Sequence, residues 1–218
     1  MAPVATASVI PAPPVTSGHG PATRPNMVQV GTIVWLSSEL MFFAALFAIY
    51  FQLRSVSPEL WAAQTAKLNI PFAFANTMVL VISSVWCQLG VWKAERGQPA
   101  RTGSLLEVGK WGMREWYVVT YIWGAVFIAG QVYEYANLVS ENVTLSSDRW
   151  GSVFFMATGF HGLHVTGGLL AFLLIIGRTF TTRRYTHTQA VGAVVTSYYW
   201  HFVDVVWIAL FSVIYLLR

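Results

Sequence analysis

Hydrophobic residues gather in five long, nearly unbroken runs, at 30–53, 71–92, 115–138, 150–176 and 190–217, with short polar segments between them. A helix of about 20 apolar residues crosses the hydrocarbon core of a bilayer. Lipid leaves backbone groups no water to bond to, so helices that bond internally are the natural spanning form. The alternation expected of barrel strands is absent. The pattern therefore predicts an all-α fold, a polytopic integral membrane protein built as a bundle of five transmembrane helices. Residues 1–29 break the pattern: six of the nine prolines lie there, among Ala, Ser, Thr and Gly, with no continuous apolar core of signal-peptide type. They read as a flexible Pro-rich tail ahead of a transmembrane domain over 30–218. His19 of that tail reads as incidental. Neither an internal repeat nor a separate soluble domain is predicted.

Composition strengthens this reading. The 218 residues are 56% hydrophobic and 10% charged, against about 25% charged in soluble domains. In such a chain a net charge of +4 points to loops retained in the cytoplasm rather than to nucleic acid. Lys93, Arg96, Arg101, Lys110, Arg114, Arg178, Arg183, Arg184 and Arg24 fall on one side of the predicted bundle, and Arg54, Lys67, Arg149 and Arg218 on the other. This bias predicts a cytoplasmic N-terminus and an outer C-terminus. Trp92, Trp111, Trp116 and Trp150 lie near span ends, as interfacial anchors or as packing residues. The single cysteine, Cys87, excludes an internal disulfide and a multi-cysteine metal site, and reads as a packed small hydrophobe.

The remaining chemistry lies in ionisable groups at membrane depth, which are costly there and need a reason. Glu39 sits about nine residues into the first run, roughly 14 Å deep at 1.5 Å per residue. It fits a buried acid that fixes helix packing, a proton-relay group, or the lining of a polar cavity or lipid cleft. Glu134, with Gln131 one turn before it, fits packing near the outer end of the third run. His161 and His164 share a helix face, the spacing of a two-histidine metal site. The neighbouring glycines at 159, 162, 167 and 168 favour close helix approach joined by polar side chains instead. His201 and Asp204 are also three apart and predict an ion pair or a neutral hydrogen-bonded pair holding the last helix. Trp200, Asp204 and Trp207 form a stripe that reads as a packing seam. No Gly-rich phosphate loop or nucleophile–base motif is present, and the ligand set for haems and copper is incomplete.

Four stretches are specific in combination: WLSSELMFFA (35–44), GQVYEY (130–135), ATGFHGLHV (157–165) and YYWHFVDVVW (198–207). In this order they resemble subunit III of the haem–copper respiratory oxidases, and the resemblance covers about residues 24–218. The run RPNMVQVGTIVWLSSELMFF is similar to the actinobacterial cytochrome c oxidase form. The resemblance implies a chain without haem or copper of its own, those cofactors being held by partner subunits. It implies packing on oxidase subunit I, with subunit II nearby, in a multi-pass protein of the bacterial cell membrane, and membership of a larger respiratory supercomplex is open. It implies support of proton uptake and of turnover stability in subunit I, and phospholipid binding. By position, Glu39 matches the family's membrane carboxylate and Arg178 an arginine that contacts lipid phosphate. The long form of the family has seven helices. The two absent here would make one wall of the lipid cleft, which is then open or walled by another subunit. Five-helix forms occur among quinol oxidases too, so subunit III of a quinol oxidase is an alternative. An independent proton-coupled transporter is a third reading, but the inverted repeats and broken helices it calls for are not evident.

Overall fold

The computed structural model describes residues 26–181 and 186–217. The described residues are helical, with no strand. Residues 1–25 of the Pro-rich tail, with His19 and Arg24, lie outside them, as do Arg183, Arg184 and Arg218 from the charge count; residues 27–29 form the start of the first helix.

The helices are α1 (Met27–Val56), α2 (Pro58–Thr65), α3 (Ile70–Glu95), α4 (Met113–Ser140), α5 (Arg149–Thr181) and α6 (His187–Phe211), with α6 continuing as a π-helical turn, Ser212–Leu216. Local signals set their ends. Asn26 and Asn69 cap α1 and α3, accepting from Val28 N at 2.9 Å and Phe72 N at 3.2 Å. The Asp148 carboxylate accepts from Gly151 N at 2.7 Å at the start of α5. Gly97 ends α3 in the left-handed region (φ +68°), a conformation that glycine adopts without steric cost. The helices overrun the apolar runs by one to five residues at most ends, because caps and first turns are polar. The short helix α2 was not evident from hydrophobic runs. Its signal is Pro58 in the first turn followed by Glu59.

Among the described residues four helices are long and apolar enough to cross a membrane: α1, α3, α5, and α6 with its π-helical extension. The fifth long helix, α4, has 28 residues but carries Arg114, Glu115, Gln131 and Glu134, which lower its mean hydropathy. It lies antiparallel to α3 along its length. Trp116 stacks on Trp86 near one end, Asn76 donates to Phe127 O in the middle, and Tyr133 meets Phe72 near the other.

The centre of the bundle is α6, whose indoles are anchored on α3. Trp200 Nε1 donates to Ser83 Oγ at 3.0 Å, and Trp207 Nε1 to Thr77 Oγ1 at 3.0 Å. The Tyr117 hydroxyl of α4 donates to Ala193 O at 2.9 Å, and the Tyr199 hydroxyl to His164 O of α5 at 2.9 Å. Trp200 fits because Gly124 and Gly168 leave space for its ring. A Cβ at those positions would stand 2.6 Å and 2.9 Å from it. The packing seam expected of Trp200, Asp204 and Trp207 is thus present, with all three buried. At one end of the bundle Arg114 donates to Thr179 Oγ1 and O and covers the Phe180 ring, tying α4 to α5. At the other end Gln64 donates to Asp148, and Arg149 to Ser57 Oγ, closing the two loops over each other. Large apolar side chains such as Met41, Leu163, Leu174 and Val205 point outward, as a lipid-facing surface requires.

Candidate functional site

The ionisable residues singled out in the sequence do not converge on one site, although Glu39 and His164 meet. His161 and His164 share one face of α5 in sequence terms but engage different helices. His161 is fully buried; its Nε2 donates to Val203 O of α6 at 3.1 Å, and its ring packs against Trp207. His164 turns to α1, where Nε2 lies 3.3 Å from Glu39 Oε2. Its Nδ1 lies 2.7 Å from Phe160 O. A carbonyl only accepts, so Nδ1 carries a hydrogen. A proton on either Nε2 or Oε2 would make the Glu39–His164 contact a hydrogen bond. Phe43 meets the imidazole edge-on at a centroid distance of 5.1 Å. The pair is partly exposed on the outside of the bundle, at 17% for His164 and 24% for Glu39.

The expected bond between His201 and Asp204 is not formed. His201 uses both ring nitrogens on α3: Ser84 Oγ lies 3.0 Å from Nδ1, and Gln88 Oε1 accepts from Nε2 at 3.3 Å. Asp204 is buried, and neither carboxylate oxygen has a hydrogen-bond partner among the described residues. The reason is geometric. A shared helix face brings two side chains near, but each takes its partner from the helix it faces, and α3 offers His201 two polar groups at the right height.

Glu134 is buried and accepts from the Tyr215 hydroxyl at 2.8 Å. This bond joins α4 to the π-helical end of α6, so its partner comes from the protein interior rather than from water. Tyr215, like Ser84 and Gln88, is a partner that the sequence reading missed, because it lies in a run read only as apolar. Gln131 is also buried, beside the Tyr135 hydroxyl, and its amide oxygen has no hydrogen-bond partner among the described residues. Among the described residues no three of His, Cys, Asp and Glu gather as a metal-binding group, and the two histidines of α5 face apart.

Two further features lie on the Glu39 side. A groove of about 340 Å³ is lined by Thr32 and Trp35 of α1, Gly167 and Ala171 of α5, and Val195, Thr196 and Tyr199 of α6. Trp35 stacks on Tyr199 at a centroid distance of 5.5 Å. Glu39 and His164 lie one turn beyond Trp35 and Gly167, at one end of this groove. Arg178 is exposed near the end of α5, beside Thr179, Thr188 and Gln189. It is seven residues from Ala171, so it sits two turns along the same helix face, beyond the other end of the groove.

Comparison with known proteins gives one consistent result. The family model of cytochrome c oxidase subunit III matches residues 12–218. A probable cytochrome c oxidase subunit 3 of Mycobacterium tuberculosis is 52% identical over 204 residues, covering 94% of this chain and 95% of that protein. The corresponding protein of Nocardia farcinica is 49% identical, covering 98% and 99%. Cytochrome c oxidase subunit 3 of Synechocystis is 35% identical, covering 91% of this chain and 79% of its own length.

Proposed function

The chain belongs to the cytochrome c oxidase subunit III family, and on that premise we propose that it is the non-catalytic subunit III of a proton-pumping cytochrome c oxidase in a bacterial cell membrane. A member of this family is a subunit of an oxidase complex. What supports the accessory reading is the dispersal of the ionisable side chains. His161, His164, His201 and Glu134 each face a different neighbouring helix segment and act as links between helices. Haem and copper then reside in partner subunits, and this chain acts through packing, bound lipid and local electrostatics.

In this reading α4 is a fifth span. A helix of 28 residues is about 42 Å long, and α4 runs beside α3 and α5 throughout. The N-terminus of α1 then lies in the cytoplasm, on the side of Lys93, Arg96, Arg101, Lys110, Arg114 and Arg178, opposite Arg54, Lys67 and Arg149. The groove between Trp35 and Tyr199 accepts a phospholipid acyl chain, with the phosphate at the Arg178 guanidinium through a charge-assisted bond. Glu39 and His164 close the deep end of that groove. Such a wall of ordered lipid beside subunit I supports steady proton uptake and slows inactivation during turnover.

The alternative, subunit III of a quinol oxidase, differs in partner subunits rather than in this chain. Purification of the complex through this chain tests both. Co-purification with haem-bearing subunit I and with a subunit II carrying a copper-binding Cys/His cluster is expected. A subunit II without that cluster selects the quinol oxidase, and haem absorbance in the isolated chain contradicts the accessory role.

A further inference from the structure

The glycines of α4 and α5 fall into two classes. Gly124 and Gly168 are filled from within, by Trp200. Gly159 and Gly162 are not. A Cβ on Gly162 would meet nothing within 4 Å, and one on Gly159 only the Tyr135 hydroxyl oxygen at 3.8 Å. With Thr166, and with Ile128, Gln131, Val132 and Tyr135 of α4, these glycines bound a groove of about 170 Å³ on the outside of the bundle. Exposed Val132 and Leu163 flank it.

Polar side chains lie beneath this largely apolar groove. Gln131 is 3% exposed; its side chain reaches the Tyr135 hydroxyl, and its amide oxygen has no hydrogen-bond partner among the described residues. The Tyr135 hydroxyl lies 2.6 Å from Thr158 Oγ1, whose own hydrogen goes to Phe154 O. Tyr135 therefore donates to Thr158, and toward Gln131 its oxygen can only accept, which leaves the Gln131 amide oxygen without a donor. An amide oxygen at membrane depth with no donor is unfavourable, and surrounding lipid tails cannot relieve it. An acyl chain would fill the volume and leave the amide as it is. A helix would do both, because glycines let a second backbone approach closely and a polar side chain then bonds across the contact.

We propose that the α4–α5 groove docks one transmembrane helix of a partner subunit of the oxidase. That helix sits on Gly159, Gly162 and Thr166 and offers a small polar side chain, Ser, Thr or Asn, to the Gln131 amide. This rests on the reading of the chain as an oxidase subunit, and it assigns the face by which that subunit is held.

The test uses the intact oxidase. A photoreactive benzophenone amino acid in place of Leu163 is irradiated in the assembled complex, and adducts are identified by mass. An adduct with an oxidase polypeptide is expected, and adducts with lipid alone overturn the proposal. In parallel, Gly162→Leu blocks the groove, and Gln131→Leu removes the amide together with its contact to the Tyr135 hydroxyl. Gly162→Leu is expected to be lost from the purified oxidase at unchanged abundance in the membrane. Gln131→Leu is expected to weaken retention roughly three- to tenfold, the range that measured interhelical hydrogen bonds imply. Full retention of both variants overturns the proposal. If Gly162→Leu lowers membrane abundance, the Gln131→Leu and adduct results decide. A wild-type chain that does not co-purify with the oxidase contradicts the subunit reading, and the docking with it.

Discussion

Glu39 of α1 and His164 of α5 meet at 3.3 Å, carboxylate oxygen to Nε2, across 125 residues of sequence. The contact joins the first long helix to the GFHGLHV helix at the end of the groove between Trp35 and Tyr199. His164 Nδ1 already donates to Phe160 O, so Nε2 is the nitrogen left to face the carboxylate.

If the pair holds helices together, Glu39→Gln and His164→Ala each loosen α1, and the double variant costs less than the sum. The coupling expected for an interhelical bond in lipid is about 0.6 kcal/mol, reaching at most about 2 kcal/mol. A double-mutant cycle on thermal unfolding of the complex measures it. Oxygen reduction should persist in both single variants. Its outright loss in Glu39→Gln would show that the carboxylate does more than pack.

Tyr215→Phe removes the donor to Glu134 and leaves a buried carboxyl with no partner. The expected loss is about 1–3 kcal/mol, the cost of an unsatisfied buried group. Glu134→Gln, which keeps an acceptor for the Tyr215 hydroxyl, should cost less. Thermal unfolding of the two variants side by side gives the order, and equal losses would contradict the geometry.

The two classes of glycine predict opposite sensitivities. Gly168→Ala places a Cβ 2.9 Å from the Trp200 ring and should cost about 1–3 kcal/mol through overpacking. Gly162→Ala meets no atom of this chain and should leave its abundance in the membrane unchanged. Quantitative immunoblotting of membranes distinguishes the two.

His201 and Asp204 should prove separable. His201→Ala loses the bonds to Ser84 and Gln88, which tie α6 to α3. Asp204→Asn breaks no hydrogen bond within the described residues and should change chain stability by less than one bond is worth, about 1 kcal/mol. Any stronger effect of Asp204→Ala is expected in assembly with subunit I, before any rate changes. Normal assembly with a selectively slowed proton uptake would make Asp204 a working residue.

The fold was largely legible because long apolar runs and their polar gaps report directly on helices in lipid. All five long helices fall where the runs predict, and the indole seam of Trp200 and Trp207 follows from the stripe. The pairings were less legible. Sequence spacing puts His201 beside Asp204 and His161 beside His164, yet the structure sends three of these four to three different helices. Which partner a side chain takes depends on the rotation and height of the facing helix, and a single helix pattern carries neither. Glu39 was recognisable as a membrane carboxylate, but its partner His164 is fixed only once α1 and α5 are docked. Tyr215 was missed for a similar reason: in sequence it belongs to an apolar run, and only the end of α6 brings its hydroxyl to Glu134.

The central claim is that this chain sustains the oxidase without performing its chemistry. Oxygen consumption by the purified complex, followed over successive turnovers with and without the chain, tests it most directly. The account predicts that the depleted complex still reduces oxygen at first, then loses activity during turnover, and that restoring the chain slows the loss. A depleted complex that cannot reduce oxygen at all, or one that turns over as durably as the intact complex, would contradict it.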